Sequence, residues 1–307
     1  MAHDHSAHSH GHRHEPPGYG RAFAVGIGLN LAYLAAEAAF GVLAGSLALL
    51  ADAGHNLGDV LALALSWGAA MLSRREPSRR FTYGFRSSSI LAALANAIIL
   101  LIVTGGIAGQ ALGRLIHPEP VDGDVMVWVA AIGIGVNGAT ALLFLSGRKR
   151  DLNLRSAFLH MAADAMVTAA VVAAGIAIAV TGWGWLDPAI SIAISLVIAL
   201  GAWGLIRDAF SLALDAVPGG VDAAAVRARL LAEPGVTALH DLHIWGMSTT
   251  ETALTCHLVM PGGHPGDAVL NALARDLEER FGIHHTTLQI ELADSEETCV
   301  LTPEHVV

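Results

Sequence analysis

Charged residues are scarce in this 307-residue chain, and their scarcity argues against a water-soluble protein. Only 14% of the residues are Asp, Glu, Lys or Arg, whereas soluble domains carry about 25%. Hydrophobic residues make up 54% of the chain. This balance indicates that lipid is the main solvent, and we expect a membrane protein.

Cysteine and basic surface are lacking as well. Two cysteines, Cys256 and Cys299, are too few for a disulfide framework, so we expect a reducing compartment for the C-terminal part. The segment from Gly219 to Val307 contains thirteen Asp and Glu but only four Arg, and this excess accounts for most of the net charge of −10. Nucleic-acid binders usually carry a basic face, so no nucleic-acid partner is expected. The first residues are polar and show no cleavable signal peptide.

Six apolar stretches are each close to the ~20 residues that span a bilayer. They run over Ala22–Ala44, Ser46–Leu72, Ser88–Ile116, Val125–Ser146, Ala157–Val180 and Pro188–Ile206. Five Arg lie between the second and third stretches, and four Arg or Lys lie between the fourth and fifth. The other three connections are short and contain no Lys or Arg. Because basic loops stay in the cytoplasm, we expect a multi-pass protein of the inner (plasma) membrane with both termini cytoplasmic.

The sequence predicts that the chain is divided into three segments. Residues 1–20 form a disordered tail with six His (His3, His5, His8, His10, His12 and His14). This tail is either a weak metal scavenger or merely tolerated. Residues 21–217 form the six-helix transmembrane domain. Residues 218–307, which begin at Pro218-Gly219-Gly220, read as a cytoplasmic α+β domain with two helices and three alternating strands.

Ionisable residues in two of the apolar stretches carry the functional prediction. The second stretch contains Asp52, His55 and Asp59, and the fifth contains His160 and Asp164. Residues four apart share a helix face, so each His-x-x-x-Asp pair offers an imidazole and a carboxylate on one side. Two such helices side by side would give a four-coordinate nitrogen and oxygen site, which suits Zn²⁺. Asp52 is either an alternate ligand or an acceptor that orients an imidazole.

The alternative is that these polar residues only tie helices together. Two copies of the pair, in two different stretches, favour a metal site instead, because ionisable groups at membrane depth are costly. A similar question applies to Glu37 in the first stretch. It either relays protons or hydrogen-bonds a neighbouring Asn, such as Asn30, Asn96 or Asn137.

The same residues carry a family resemblance that extends from about Ala22 to Leu292. The run from Gly45 to His55 with Asp59, the segment Phe81-Thr82-Tyr83-Gly84, and Ala157–His160 with Asp164 resemble the cation diffusion facilitator family. So does His240–Trp245 in the C-terminal part. One departure is visible, since many members have an Arg and a Glu just before the third helix, where this chain has Ser87 and Ser89.

The resemblance implies a homodimeric metal and proton antiporter with a ferredoxin-like cytoplasmic domain. Its transport site would be His55, Asp59, His160 and Asp164, in the His form typical of zinc-preferring members. It also implies a regulatory metal site at His240, His257 and Glu291. The alternative is that these histidines are ordinary surface residues of the strands.

We therefore expect efflux of Zn²⁺, or other divalent metals, from the cytoplasm in exchange for protons. Protonation of His55 and His160 would remove their ligand lone pairs and expel the ion. Two other functions stay open at this point. A membrane-embedded metal sensor would bind without transporting, and an intramembrane metallo-hydrolase would need an open coordination position and a water molecule.

Overall fold

The computed structural model describes residues 19–73, 75–145, 152–292, 299 and 301. Six long helices come first. They are α1 (Tyr19–Ala44), α2 (Leu47–Ser73), α3 (Ser88–Ile116), α4 (Gly123–Leu145), α5 (Leu152–Thr181) and α6 (Leu186–Ala213). All six correspond to the predicted apolar stretches. The His-rich residues 3–14 lie outside the described residues, so the expectations for that tail stay predictions.

Four helices contain an apolar stretch long enough to cross a membrane, in the part of the chain that the structure describes. These stretches are Ser88–Ile116, Gly123–Thr140, Ala162–Thr181 and Leu186–Ala213, and Gly28–Ala44 in α1 is a shorter apolar segment. Large apolar side chains such as Trp203 and Val180 are exposed on the helix surfaces. Lipid is the natural neighbour of such surfaces, so the helical membrane fold is confirmed.

The chain forms two compact units, of which the first comprises residues 1–56 and 107–194. In this unit α4 packs against α5 and α1. Small residues allow the close approach, since a Cβ at Gly123 would lie only 2.8 Å from the backbone nitrogen of Ala179. Likewise, a Cβ at Gly133 of α4 would lie 2.1 Å from the hydroxyl of Tyr33 on α1.

The turn between α1 and α2 is held by two charged side chains. Gly45 adopts a left-handed conformation with φ of 67°, which ends α1, and its carbonyl accepts a hydrogen bond from Arg114. The buried Asp187, at the start of α6, accepts hydrogen bonds from Ser46 Oγ and from the backbone nitrogens of Leu47 and Ala48. A carboxylate at a helix N-terminus satisfies free N–H groups and complements the helix dipole, so Asp187 stabilises the start of α2.

The second unit comprises residues 57–106 and 195–307 and contains the C-terminal domain. Its elements are α7 (Ala223–Leu231), β1 (Ala238–Gly246), β2 (Thr252–Val259), α8 (Asp267–Phe281) and β3 (Ile283–Glu291). The sheet order is β1-β2-β3, with β1 antiparallel and β3 parallel to β2. Helix α8 makes the crossover between the two parallel strands. The apolar faces of both helices cover one side of this sheet, as Leu230, Leu273 and Leu277 share its buried core.

Helix α6 differs most from its prediction. The sequence predicts an end at Ile206, where the apolar run stops, but the helix continues to Ala213 through the exposed Arg207 and Asp208. Hydrophobicity marks the part of a helix that lipid covers, whereas the backbone continues until a residue breaks it. The first proline after Ile206 is Pro218, so nothing stops the helix at the end of the apolar run.

Candidate metal centre

Helices α2 and α5 carry the ionisable residues that the sequence singles out. Nε2 of His55 on α2 is 3.2 Å from Oδ1 of Asp164 on α5. The side chain of Asp164 is 4% exposed and that of His55 is 24% exposed. An imidazole and a carboxylate from two helices that are far apart in sequence therefore lie side by side in a largely buried position.

The second member of each pair lies one helical turn away. Asp59 follows His55 by four residues on α2, so the two share a helix face. His160 precedes Asp164 by four residues on α5, but its side chain lies outside the described part of the chain. The structure thus brings His55 and Asp164 together, and the convergence of all four ligands stays a prediction.

Asp52 is buried and faces α5 rather than solvent. Its Oδ2 is 2.9 Å from the hydroxyl of Thr168, which is also 2.9 Å from the backbone carbonyl oxygen of Asp164. The other carboxylate oxygen, Oδ1, has no hydrogen-bond partner among the described residues. Thr168 therefore links Asp52 to the turn of α5 that carries Asp164, a contact that the sequence analysis missed.

Glu37 of α1 is completely buried and has two hydrogen-bond donors. The hydroxyl of Tyr33 donates to Oε1 at 2.6 Å, and Nδ2 of Asn56 donates to Oε2 at 3.0 Å. The amide partner of Glu37 is therefore Asn56, the residue directly after His55, and not any of the three Asn that the sequence analysis names. This pair ties α1 to the turn of α2 that carries His55.

A second cluster of ligand groups lies in the C-terminal domain. His240 of β1 stands opposite His257 of β2, with ring centroids 5.1 Å apart. Nδ1 of His257 is 2.7 Å from Oε1 of Glu291, and Nε2 of His240 is 3.4 Å from Oε2 of the same carboxylate. Cys299 joins them, since its Sγ is 3.6 Å from Nδ1 of His257. One ligand atom from each of the four residues lies within 4.8 Å of the others. We call this group the cytoplasmic cluster.

Glu291 is the acidic member of the cytoplasmic cluster. Burial pushes the pKa of Glu291 upward, but hydrogen bonds from Cys299 and His257 and the charges of His240 and His257 outweigh it, so the pKa lies below its usual value. Nε2 of His240 is buried and makes no hydrogen bond in the described part of the chain. Two imidazoles, a carboxylate and a thiol are ligands that Zn²⁺ accepts. Those residues therefore fit a bound metal ion.

The other cysteine belongs to the core. Cys256 is 1% exposed and packs among the buried apolar residues of the domain. Burial raises the pKa of its thiol to about 12, because the thiolate would lose its hydration. Cys256 therefore has a structural position, whereas Cys299, eight residues after Glu291, is the ligand that the sequence analysis missed.

An irregularity in β1 places one more carboxylate beside this cluster. Asp241 has a positive φ of 51°, and the pairing of β1 with β2 shifts register between His240 and His243. Its carboxylate lies 2.8 Å from Nε2 of His243 and 3.5 Å from Nε2 of His257. The bulge turns Asp241 toward both imidazoles.

Two family descriptions match the chain. The cation efflux transmembrane domain matches residues 23–212, and the cation efflux protein cytoplasmic domain matches residues 218–293. Together they cover both the membrane helices and the C-terminal sheet.

Named relatives match over most of their length. The metal cation efflux system protein CzcD of Cupriavidus metallidurans is 36% identical over 278 residues, which are 90% of this chain and 88% of that protein. The zinc transporter ZitB of Escherichia coli is 35% identical over 293 residues, 95% and 93% of the two chains. A cadmium, cobalt and zinc/H(+)-K(+) antiporter of Bacillus subtilis is 31% identical over 264 residues, 84% and 85%. A solved metal-bound C-terminal domain of CzcD is 42% identical, covering 24% of this chain and all of that one with a TM-score of 0.22.

Proposed function

Because the chain belongs to the cation diffusion facilitator family of metal cation efflux transporters, we propose that it exports Zn²⁺ from the cytoplasm in exchange for protons. Its relatives are transporters rather than enzymes, so neither a metallo-hydrolase nor a sensor is proposed. Zinc is the preferred substrate, since two imidazoles and two carboxylates suit its tetrahedral coordination. The family placement, over residues 23–293, is independent of that ligand argument.

The observation that supports the transport site is the pairing of His55 with Asp164 across α2 and α5. The two atoms that lie 3.2 Å apart are both of a kind that binds zinc. Asp59 and His160 lie one turn from them on the same two helices. We propose that His55, Asp59, His160 and Asp164 bind one Zn²⁺ ion, whose double charge the two carboxylates neutralise.

Proton coupling follows from the chemistry of these ligands. A histidine titrates near neutral pH, and a protonated imidazole has no lone pair for the metal. Zinc binding from the cytoplasm would release protons, and protonation from the far side would expel zinc. Rocking of helices around a fixed site provides the alternating access. The name of the Bacillus relative, an antiporter of zinc with H(+) and K(+), supports an exchange mechanism.

We propose that Asp52 has a positioning role beside the transport site. Its contact with Thr168, which also meets the Asp164 carbonyl, links α2 to α5 beside the ligands. We propose that Asp52 orients the two helices through the hydrogen bond that Thr168 donates to its Oδ2.

We further propose that the cytoplasmic cluster binds a regulatory Zn²⁺ ion. The predicted residues His240, His257 and Glu291 lie together with Cys299 within 4.8 Å of one another. The metal would be held by two nitrogens, one oxygen and one sulfur, and Asp241 would orient His257 from the second imidazole nitrogen. A cysteine thiolate in this set favours zinc over magnesium or calcium.

The remaining proposals concern assembly and location. We propose that residues 21–217 form the membrane domain, residues 218–307 the cytoplasmic domain, and residues 1–20 a separate His-rich tail. The protein would lie in the inner membrane with both termini in the cytoplasm. The C-terminal match is to the cytoplasmic domain of the family, and we propose that the active form is a homodimer.

Zinc uptake into proteoliposomes tests this function. Purified protein is reconstituted, the internal and external pH are set separately, and zinc entry is followed with a fluorescent indicator. We expect uptake that accelerates when the vesicle interior is acidic, is accompanied by proton release, and disappears in His55→Ala. Zinc uptake that is independent of the pH gradient would contradict proton exchange, and uptake that persists in His55→Ala would contradict the transport site.

A further inference from the structure

Helix α1 carries a polar strip on the side that packs against α4. Asn30, Tyr33 and Glu37 follow one another at intervals of three and four residues, so they share one face of the helix. Tyr33 and Glu37 are buried, and the Tyr33 hydroxyl donates to Oε1 of Glu37 at 2.6 Å. The strip therefore extends from Glu37 through Asn30 toward the N-terminal end of α1, which we propose to be cytoplasmic.

Helix α4 faces this strip with polar residues of the same spacing. Gly133, Asn137 and Thr140 lie on one face of α4. Nδ2 of Asn30 donates to Oγ1 of Thr140 at 3.4 Å, and a Cβ at Gly133 would lie 2.1 Å from the Tyr33 hydroxyl. Asn137 lies between these two contacts, four residues after Gly133 and three before Thr140. The polar strips of α1 and α4 therefore face each other.

Asn137 is the buried residue of this interface that has no protein partner. It is 1% exposed, and neither its Oδ1 nor its Nδ2 makes a hydrogen bond among the residues that the structure describes. Each buried polar group that makes no hydrogen bond costs about 1–3 kcal/mol, and buried water molecules commonly satisfy such groups. A buried water needs about two to four polar partners, which the amide of Asn137 and the hydroxyl groups of Tyr33 and Thr140 supply on this strip.

The groups that face Glu37 do not fix its charge. Its hydrogen-bond donors, Tyr33 and Asn56, are neutral. Asp52 of α2 is the acidic group that faces it, and α4 faces the strip with the neutral residues named above. In the described part of the chain, no basic side chain forms a salt bridge with Glu37. Ionisable groups buried in membrane helices commonly serve as proton relays, and Glu37 has the surroundings of such a group.

Glu37 also lies beside the proposed transport site without belonging to it. Asn56, which donates to its Oε2 at 3.0 Å, directly follows His55 in α2. Asp52 contacts Thr168, which in turn contacts the turn of α5 that carries the facing ligand. The polar strip therefore begins next to the ligands and leads away from them along α1 and α4.

We propose that α1 and α4 enclose a water-lined proton path between the transport site and the cytoplasm. Glu37 is its proton-carrying inner end, and Asn137 holds its water. This inference rests on the proposed exchange of zinc for protons and names the route that the protons take. Gly133 belongs to the path as well, because the Tyr33 hydroxyl occupies the space that a Cβ would fill.

Each transfer along the path conserves protons. When zinc displaces a proton from an imidazole of the transport site, a carboxylate oxygen of Glu37 accepts it. The O–H bond of Glu37 then breaks and a new O–H bond forms at the Tyr33 oxygen, while the original Tyr33 proton passes to the water at Asn137. Tyr33 ends neutral, and the water passes the proton on toward the cytoplasmic ends of α1 and α4.

Two transport rates measured on the same proteoliposomes test the path. The first is net zinc uptake driven by an acidic vesicle interior, which requires protons to cross the protein. The second is exchange of labelled for unlabelled zinc, with equal zinc and equal pH on both sides, which requires no net proton movement. The variants are Asn137→Leu, which cannot bind water, and Asn137→Ser, which can. Ile132→Ala is the control, because Ile132 lies on the same helix and is 59% exposed.

We expect Asn137→Leu to slow net uptake about tenfold, as for a barrier raised by one or two lost hydrogen bonds, and to leave zinc exchange unchanged. Retained exchange shows that the variant is folded. Asn137→Ser and Ile132→Ala should keep the net uptake of the unaltered protein. Gly133→Ala should behave like Asn137→Leu, because its Cβ displaces the Tyr33 hydroxyl.

Three results would overturn the path. Asn137→Leu could keep the net uptake of the unaltered protein, it could lose net uptake and exchange by the same factor, or Asn137→Ser could be as slow as Asn137→Leu. In each case the proposed function stands if net uptake by the unaltered protein follows the pH gradient. Net uptake by the unaltered protein that ignores the gradient would overturn proton exchange and the path together.

Hydroxyl-radical footprinting of the full-length protein in lipid nanodiscs tests the water itself. X-rays split water that is bound beside a side chain, and the radicals modify that side chain even where it is buried. Tyr33 is 5% exposed, and the 48% exposed Tyr83 is the internal standard. We expect Tyr33 to be modified in the unaltered protein and to be protected in Asn137→Leu. An unmodified Tyr33 in the unaltered protein, or equal modification in both proteins, would overturn the proposal that Asn137 holds water.

Discussion

Asn56 donates a hydrogen bond of 3.0 Å to the carboxylate of Glu37, and the two residues come from different helices of the membrane domain. Asn56 directly follows His55, so this contact sets how the ligand-bearing turn of α2 is rotated against α1. The Tyr33 hydroxyl donates a second hydrogen bond, of 2.6 Å, to the same carboxylate. A buried acceptor with two donors is costly to disturb, because each donor left unpaired costs about 1–3 kcal/mol.

Glu37→Gln should therefore weaken transport without unfolding the protein. The amide can accept only one of the two hydrogen bonds. Its NH₂ group then either opposes the NH₂ group of Asn56 or donates to the Tyr33 hydroxyl, whose own O–H is left without its acceptor. We expect the rate of zinc uptake to fall by about tenfold, which corresponds to ~1.4 kcal/mol. Tyr33→Phe removes one donor and leaves the Asn56 contact, so its effect should be smaller. Equal rates for Glu37→Gln and the unaltered protein would show that this contact does not position α2.

Asp164→Ala should abolish zinc transport and leave the protein folded. The carboxylate is a proposed ligand and the partner of His55, so its loss removes both a ligand and a negative charge from the site. Uptake should fall about a hundredfold or more, in line with the loss of groups at a metal site. Met166→Ala is the matched control, since Met166 lies two residues away on the same helix and is 69% exposed. Substantial uptake by Asp164→Ala would remove Asp164 from the transport site.

Asp187→Ala should lower the stability of the membrane domain. The side chain accepts three hydrogen bonds at the start of α2 and is fully buried, and the loss of a helix cap costs about 0.5–2 kcal/mol. Thermal unfolding in detergent should shift downward by several degrees. Asp124→Ala, at an exposed position in the first turn of α4, should leave the transition unchanged. Identical transitions for the two variants would show that Asp187 does not hold the α1–α2 turn.

The two cysteines should differ sharply in their reactivity. The reaction of a thiol with an alkylating reagent needs the thiolate, and the pKa of Cys256 is raised to about 12 by burial. Below that pKa the thiol stays protonated, so Cys256 should be labelled slowly at pH 8 and faster only as the pH rises toward 12. Cys299 should be labelled at pH 8, and zinc should protect it. The variants Cys299→Ser and Cys256→Ser separate the two signals. Rapid labelling of Cys256 in folded Cys299→Ser at pH 8, or labelling of Cys299 that ignores zinc, would contradict the assignment.

The sequence predicts the membrane helices well because a single physical property determines them. An apolar run near 20 residues must be helical in lipid, and all six runs correspond to helices α1–α6. The His-x-x-x-Asp spacing likewise fixes which side chains share a helix face. Spacing cannot show which helices are neighbours, so the contact of His55 with Asp164 had to come from the structure.

Contacts that depend on distant parts of the chain were the ones missed. Nothing in the sequence pairs Asn56 with Glu37, since any of several buried amides could serve as the donor. Cys299 lies beside His257, eight residues after β3 ends at Glu291, and no spacing rule in the sequence predicts that contact. The bulge at Asp241 also arises from the pairing of β1 with β2, which no local pattern encodes.

X-ray absorption spectroscopy of bound zinc tests the central claim most directly. The sample is full-length protein with His240→Ala and His257→Ala and with the six N-terminal His replaced, loaded with one equivalent of zinc. We predict four light-atom ligands at about 2.0–2.1 Å, two of them imidazoles, with one imidazole lost in His160→Ala and one in His55→Ala. A zinc spectrum that is unchanged in His160→Ala would contradict a site shared by α2 and α5.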